Sequence, residues 1–107
     1  MTSLIYQREA ARRDLVDHFV YLAENADLPT AKRFLSNAEV TFSELVQQPL
    51  VGSPLKLHHP ALSGLRKWRV NGFDNHLIFY EARPGAVSIV RVLHAASDWW
   101  GLLGIES

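Results

Sequence analysis

The sequence contains no cysteine. That excludes a disulfide framework, a thiolate nucleophile and a cysteine-ligated metal, and it makes the reducing cytoplasm the natural compartment. Nor is there an apolar run near the ~20 residues that a bilayer-spanning helix needs. Leu4-Ile5-Tyr6 leads straight into the charged pair Arg8-Glu9, unlike a secretory signal. Charge of one sign is missing as well: 11 basic residues balance 11 acidic ones. The balance gives no general argument for nucleic-acid binding and leaves only a local basic patch open. Glycine-rich phosphate loops, a G-x-S-x-G nucleophile elbow and an H-E-x-x-H zinc helix are all absent. Repeats, linkers and low-complexity stretches are absent too.

What is present suits one domain spanning residues 1–107, since a 48% hydrophobic chain of this length can bury a core. Leu4 to Gln7 is a short β-prone run and reads as a first strand. Ala11, Leu15, Phe19, Leu22 and Ala23 recur at spacings that mark one face of a helix. Asn25-Ala26-Asp27 breaks it, and Pro29 fits the first turn of a second helix. That helix carries the stripe Ala31, Phe34, Leu35, Ala38, Phe42 and Leu45, and it ends by Pro49. Residues 49–64 are punctuated by Pro49, Gly52, Pro54, Pro60 and Gly64, which predicts a loop; it also holds Lys56, His58 and His59. The period then switches to two. Strands are predicted over Leu65 to Val70, His76 to Glu81 and Val87 to Leu93, with Asn71-Gly72 as a turn that Phe73 to Asn75 extends. Ala95 to Leu103 is read as a short helix or a loose tail. The resulting order, β-α-α-β-β-β, predicts an α+β fold: an antiparallel sheet with a helical hairpin on one face, the other face or its rim being left for function.

Five histidines, His18, His58, His59, His76 and His94, offer no converging ligand set. They read as solvated or hydrogen-bonded side chains, with no metal and no cofactor expected. The cations are more telling. Arg66, Lys67 and Arg69 crowd one strand beside Trp68, with Lys56, Arg83 and Arg91 nearby in sequence. Guanidinium forks beside an aromatic face suit nucleic acid, an acidic protein partner, or simply the solvated edge of a sheet. Arg91 lies inside Ser88 to Leu93, a run that otherwise wants burial. It either pairs with a carboxylate or lines a binding surface. In Asp98-Trp99-Trp100, the two adjacent tryptophans cannot both turn inward on a short helix; one closes the core and the other is left for solvent or a partner chain.

These pieces, in this order, resemble the RelE/ParE toxin superfamily, and its ParE-like branch in particular. Leu65 to Tyr80 resembles that family's hairpin: a basic strand, the Gly72-Phe73 turn, then a strand closing on the aromatic pair Phe79-Tyr80. Ile89 to Asp98 is similar to its final strand, Arg91-Val92-Leu93-His94 followed by small residues and an aspartate. Ala11 to Leu15 matches its early Asp-Leu element.

The resemblance implies the toxin of a type II toxin–antitoxin pair of the plasmid-stabilisation type, neutralised by an antitoxin whose tail adds a strand or helix. For the ParE-like branch it implies binding to DNA gyrase, with Arg66, Lys67, Arg69, Arg91, Trp99 and Trp100 expected to meet the target. Leu15, Phe19, Trp99 and Trp100 are expected to meet the antitoxin. The alternative within the superfamily is a RelE-like endonuclease cutting messenger RNA on the ribosome, with Arg69, Arg91 and His94 as its catalytic candidates. That set is incomplete, because Ala96 stands where a second arginine is expected and Leu102 where a tyrosine is expected. A third reading is an interaction module without toxicity.

Overall fold

The computed structural model describes residues 4–55 and 64–103. Lys56, His58 and His59 lie outside the described residues, as does the side chain of Trp100. The elements run β1 (Ile5–Gln7), α1 (Glu9–Asn25), α2 (Leu28–Gln47), β2 (Ser53–Pro54), β3 (Leu65–Val70), β4 (Phe73–Arg83), β5 (Ala86–His94) and α3 (Trp99–Leu102). The strands make one five-stranded sheet in the order β1-β5-β4-β3-β2. The late meander is antiparallel, and β1 joins it in parallel at β5, through Ile5↔Val87 to Gln7↔Ile89.

Each helix follows from its residues. α1 starts without a side-chain cap. α2 is capped by Asp27, whose carboxylate accepts the Thr30 N–H at 2.7 Å, and it carries proline in its first turn. The helical stripes bury Ala11, Phe34, Ala38, Phe42 and Leu45 against Val70, Ile78, Tyr80, Val87, Ile89 and Val92 of the sheet. The second sheet face is not left bare, as the sequence suggested. Leu65, Phe79, Val90, Leu93 and Leu103 form a smaller core there, with Leu55, Leu77 and Trp99 packed on it. The short C-terminal helix is the lid of that second core.

Two more expectations are corrected. Phe73 to Asn75 are strand rather than loop. They escape the pattern because β3 has no partners for the stretch Asp74 to His76: Val70 pairs with Phe73, while Arg69 already pairs with Leu77. Gly72 makes the turn at φ +75°, a conformation glycine adopts without steric cost. Within the predicted 49–64 loop, Ser53 and Pro54 pair with Lys67 and Arg66 as a two-residue edge strand. A strand this short carries no periodic signal.

Candidate functional site

Alternation along β3 separates the three cations that the sequence grouped. Arg66 turns to the 49–52 segment and donates to the carbonyl oxygens of Gly52 (2.8 Å) and Leu50 (3.3 Å). The buried Tyr80 hydroxyl grips the same segment, donating to Pro49 O and accepting from Gly52 N, both at 2.9 Å. Burial raises the Tyr80 pKa, opposed by the Gly52 hydrogen bond and the Arg66 charge. Arg66 is therefore a loop fastener in this structure.

Lys67 and Arg69 remain near the surface. The Lys67 ammonium sits 5.4 Å from the centre of the Trp99 ring, which itself packs at 5.3 Å on Phe79. Arg69 pairs with the exposed Asp74 at 3.3 Å and lies 4.9 Å from the centre of the Trp68 ring. Asp98 caps α3 by accepting the Gly101 N–H, which fixes Trp99 over the second core. The cation–aromatic arrangement of Lys67, Trp99 and Phe79 is thus built by β3, β4 and α3 together.

Arg91 answers the question its position raised by finding a carboxylate. Its Nε and Nη2 donate to the two oxygens of Asp14, at 2.7 and 2.8 Å, and its Nη1 donates to Leu102 O at 3.2 Å. The Asp14 side chain is 10% exposed and that of Arg91 23%. The hydrogen bonds to Asp14 raise the arginine's pKa, outweighing the effect of burial. Asp14 also accepts the Val92 N–H at 3.0 Å, and His18, one turn further along α1, donates from Nε2 to Val92 O at 2.8 Å. β1 pairs only as far as Ile89, so α1 supplies side chains to the β5 backbone where β1 stops.

A histidine cluster, unforeseen in the sequence, lies beside this cap. The His76 ring meets those of His18 (4.8 Å), Phe34 (4.8 Å) and His94 (5.2 Å). His76 is buried, and its Nδ1 has no hydrogen-bond partner. Burial, and then the proximity of His18 and His94, pushes its pKa down to about 4. His94 is exposed and accepts the Ala96 N–H at Nδ1. Among the described residues no group of three or more histidine or acidic side chains is arranged to hold a metal ion. The signals missed were the shared helical face of Asp14 and His18 and the pairing of His76 with His94 across β4 and β5.

The remaining expected contacts divide. Leu15 is half-buried and packs against the main core along the inward stripe of α1. Phe19 is half-buried. Trp99 is half-buried on the far sheet face.

The family model described as the ParE toxin of the type II toxin–antitoxin system, parDE, matches residues 5–99. No curated protein matches the sequence. Among solved structures, a chain of the chromosomal ParDE TA system from P. aeruginosa is similar at a TM-score of 0.67 and 13% identity, over 84% of this chain and 92% of that one. A chain of the YoeB-YefM complex from Staphylococcus aureus is similar at a TM-score of 0.53 and 14% identity, over 88% of this chain and 98% of that one. At such identities both likenesses are likenesses of fold.

Proposed function

Because the chain belongs to the ParE toxin family of type II toxin–antitoxin systems, we propose that it acts by binding DNA gyrase and is neutralised by a cognate antitoxin. The observation that favours binding over RNA cleavage is the state of the three candidate catalytic residues. Arg91 is locked to Asp14, Arg69 is paired with Asp74, and His94 uses Nδ1 as an acceptor for Ala96. An endonuclease of the RelE kind needs a base, an acid and cationic clamps aimed at one phosphate. These side chains are aimed at their own neighbours.

The proposed contact surface is the far sheet face around Lys67, Arg69 and Trp99. It offers charge and aromatic area together, the combination that dominates protein interfaces. An antitoxin tail docking on the same face would exclude the target by occupancy, so neutralisation would need no change of fold. The setting is intracellular, in keeping with a sequence free of cysteine; among the described residues no helix is long and apolar enough to cross a membrane.

The decisive experiment compares gyrase supercoiling and ribosomal translation with the purified chain. Inhibited supercoiling with accumulated double-strand breaks, reversed by antitoxin, is the expected result. Codon-positioned cleavage of messenger RNA with gyrase unaffected would overturn it in favour of the endonuclease. Unimpaired growth on expression without antitoxin would instead favour the non-toxic module. Lys67→Glu combined with Trp99→Ala is expected to weaken inhibition by about tenfold or more, the usual cost of losing an interface anchor.

A further inference from the structure

Arg8 and the arginines of the sheet are engaged within the chain, and Arg33 of α2 lies 5.8 Å from the centre of the Phe73 ring, but two arginines of α1 are not engaged in this way. Arg8, Arg66, Arg69, Arg83 and Arg91 all hold hydrogen bonds or ion pairs. Arg12 and Arg13 of α1 have no such partner among the described residues, nor do Asp17 and Glu24 on the same helix. These four charges frame an apolar strip that the fold leaves uncovered: Val16 is 60% exposed, Val20 45% and Tyr21 63%. At its N-terminal end lies a shallow depression of ≈ 280 Å³ lined by Glu9, Arg12, Arg13, Val16 and Asp17.

The signs are segregated along the axis. Beyond Glu9 in the first turn, both arginines precede Val16, and the carboxylates Asp17 and Glu24 follow it. A surface of that kind complements itself when turned end for end. We propose that the outer face of α1 is a homodimer interface, taking a second copy of this chain antiparallel across a two-fold axis. Centring the axis between Val16 and Val20 lays those valines against their counterparts. It also brings Arg12 and Arg13 of each copy to Glu24 of the other. The contact is isologous, so each favourable pairing occurs twice, and the helix dipoles oppose one another. A uniformly acidic partner would meet the arginines but leave Asp17 and Glu24 facing like charge. One 17-residue helix face is small beside a standard interface, so the association is weak and concentration-dependent.

The test is sedimentation velocity on the full chain freed of antitoxin, over a wide concentration range. A monomer–dimer equilibrium is expected. Val16→Glu should abolish it, and Arg12→Glu with Arg13→Glu should weaken it by about tenfold or more. Adding Glu24→Arg to the double arginine variant should restore most of the affinity, which also shows that the variants fold. The proposal is overturned by a chain monomeric at every concentration, by a dimer indifferent to these changes, or by failure of the charge swap to rescue. Loss of antitoxin binding on Val16→Glu, with the wild type monomeric, would assign the face to the antitoxin and overturn it too. None of these readouts depends on gyrase.

Discussion

Asp14 satisfies three donors with one carboxylate: two from Arg91 and the Val92 N–H. Removing it strands a partly buried guanidinium and a buried amide at once. Asp14→Ala is therefore expected to lower unfolding free energy by about 3 kcal/mol in urea titration, with Arg91→Ala costing somewhat less because Asp14 keeps Val92. Equal loss from the two changes would show that the backbone hydrogen bond contributes nothing. The sequence left Arg91 balanced between ion pair and binding surface. Deciding it needed Asp14, which a reading by apolar stripe passes over, although Ala11, Asp14, Leu15, His18 and Leu22 all lie on the same side of the helix. Polar residues on an inward face are visible in the sequence; what they meet across 77 positions is not.

Among the elements, β3 shows how one strand divides its work. Its even positions serve the helical side and the 49–52 segment; its odd positions serve the far face. Tyr80 on β4 completes the fastening of that segment. A Cβ at Gly52 would collide with the Tyr80 ring and hydroxyl, so glycine there permits the close approach. Tyr80→Phe should cost about 2 kcal/mol, because it leaves the Gly52 N–H without its acceptor. It should also speed hydrogen exchange at Gly52 more than at α1 amides; uniform acceleration would argue against a local clamp. The two long helices and the three long strands were legible from periodicity, because burial imposes it, and the breakers Asn25 to Asp27 and Pro49 marked the helix ends, while the start of α1 carried no cap signal. The parallel docking of β1 was not, since a three-residue strand pairs in either direction with equal ease. The two-residue β2 was missed for the same want of length, and the start of β4 because β3 pairs with none of Asp74 to His76.

For the molecule as a whole, the buried His76 links stability to acidity. Its folded pKa lies near 4, below the 6.5 of an exposed histidine. Below pH 6.5 the unfolded chain takes up a proton that the folded chain refuses. Stability is therefore lost as pH falls from about 6.5 to about 4, by about 3 kcal/mol from this group. His18 of α1, His94 of β5, and the aromatic faces of Phe34 and Phe73 surround it, and no carboxylate is among its ring contacts to offset the cost. Thermal melts of wild type and His76→Phe should run parallel above pH 6.5, with the wild type losing stability relative to the variant as pH falls toward 4; profiles parallel over the whole range would remove His76 as the cause. The two-sided sheet that holds this group could be anticipated only in part. The hairpin of helices announced one core, but the second is made by four apolar residues of β3–β5 and a single leucine near the C-terminus.

The side chains that α1 lends to Val92 have a bearing on how the molecule behaves in a crowd. A sheet margin with bare amides and carbonyls is an invitation to fuse with a neighbour's strand. Along β5, beyond the end of β1, that invitation is withdrawn: a newcomer would have to displace an aspartate and a histidine already seated on the one backbone unit it needs. Runaway lateral stacking from this flank is thereby obstructed by an ordinary turn of helix.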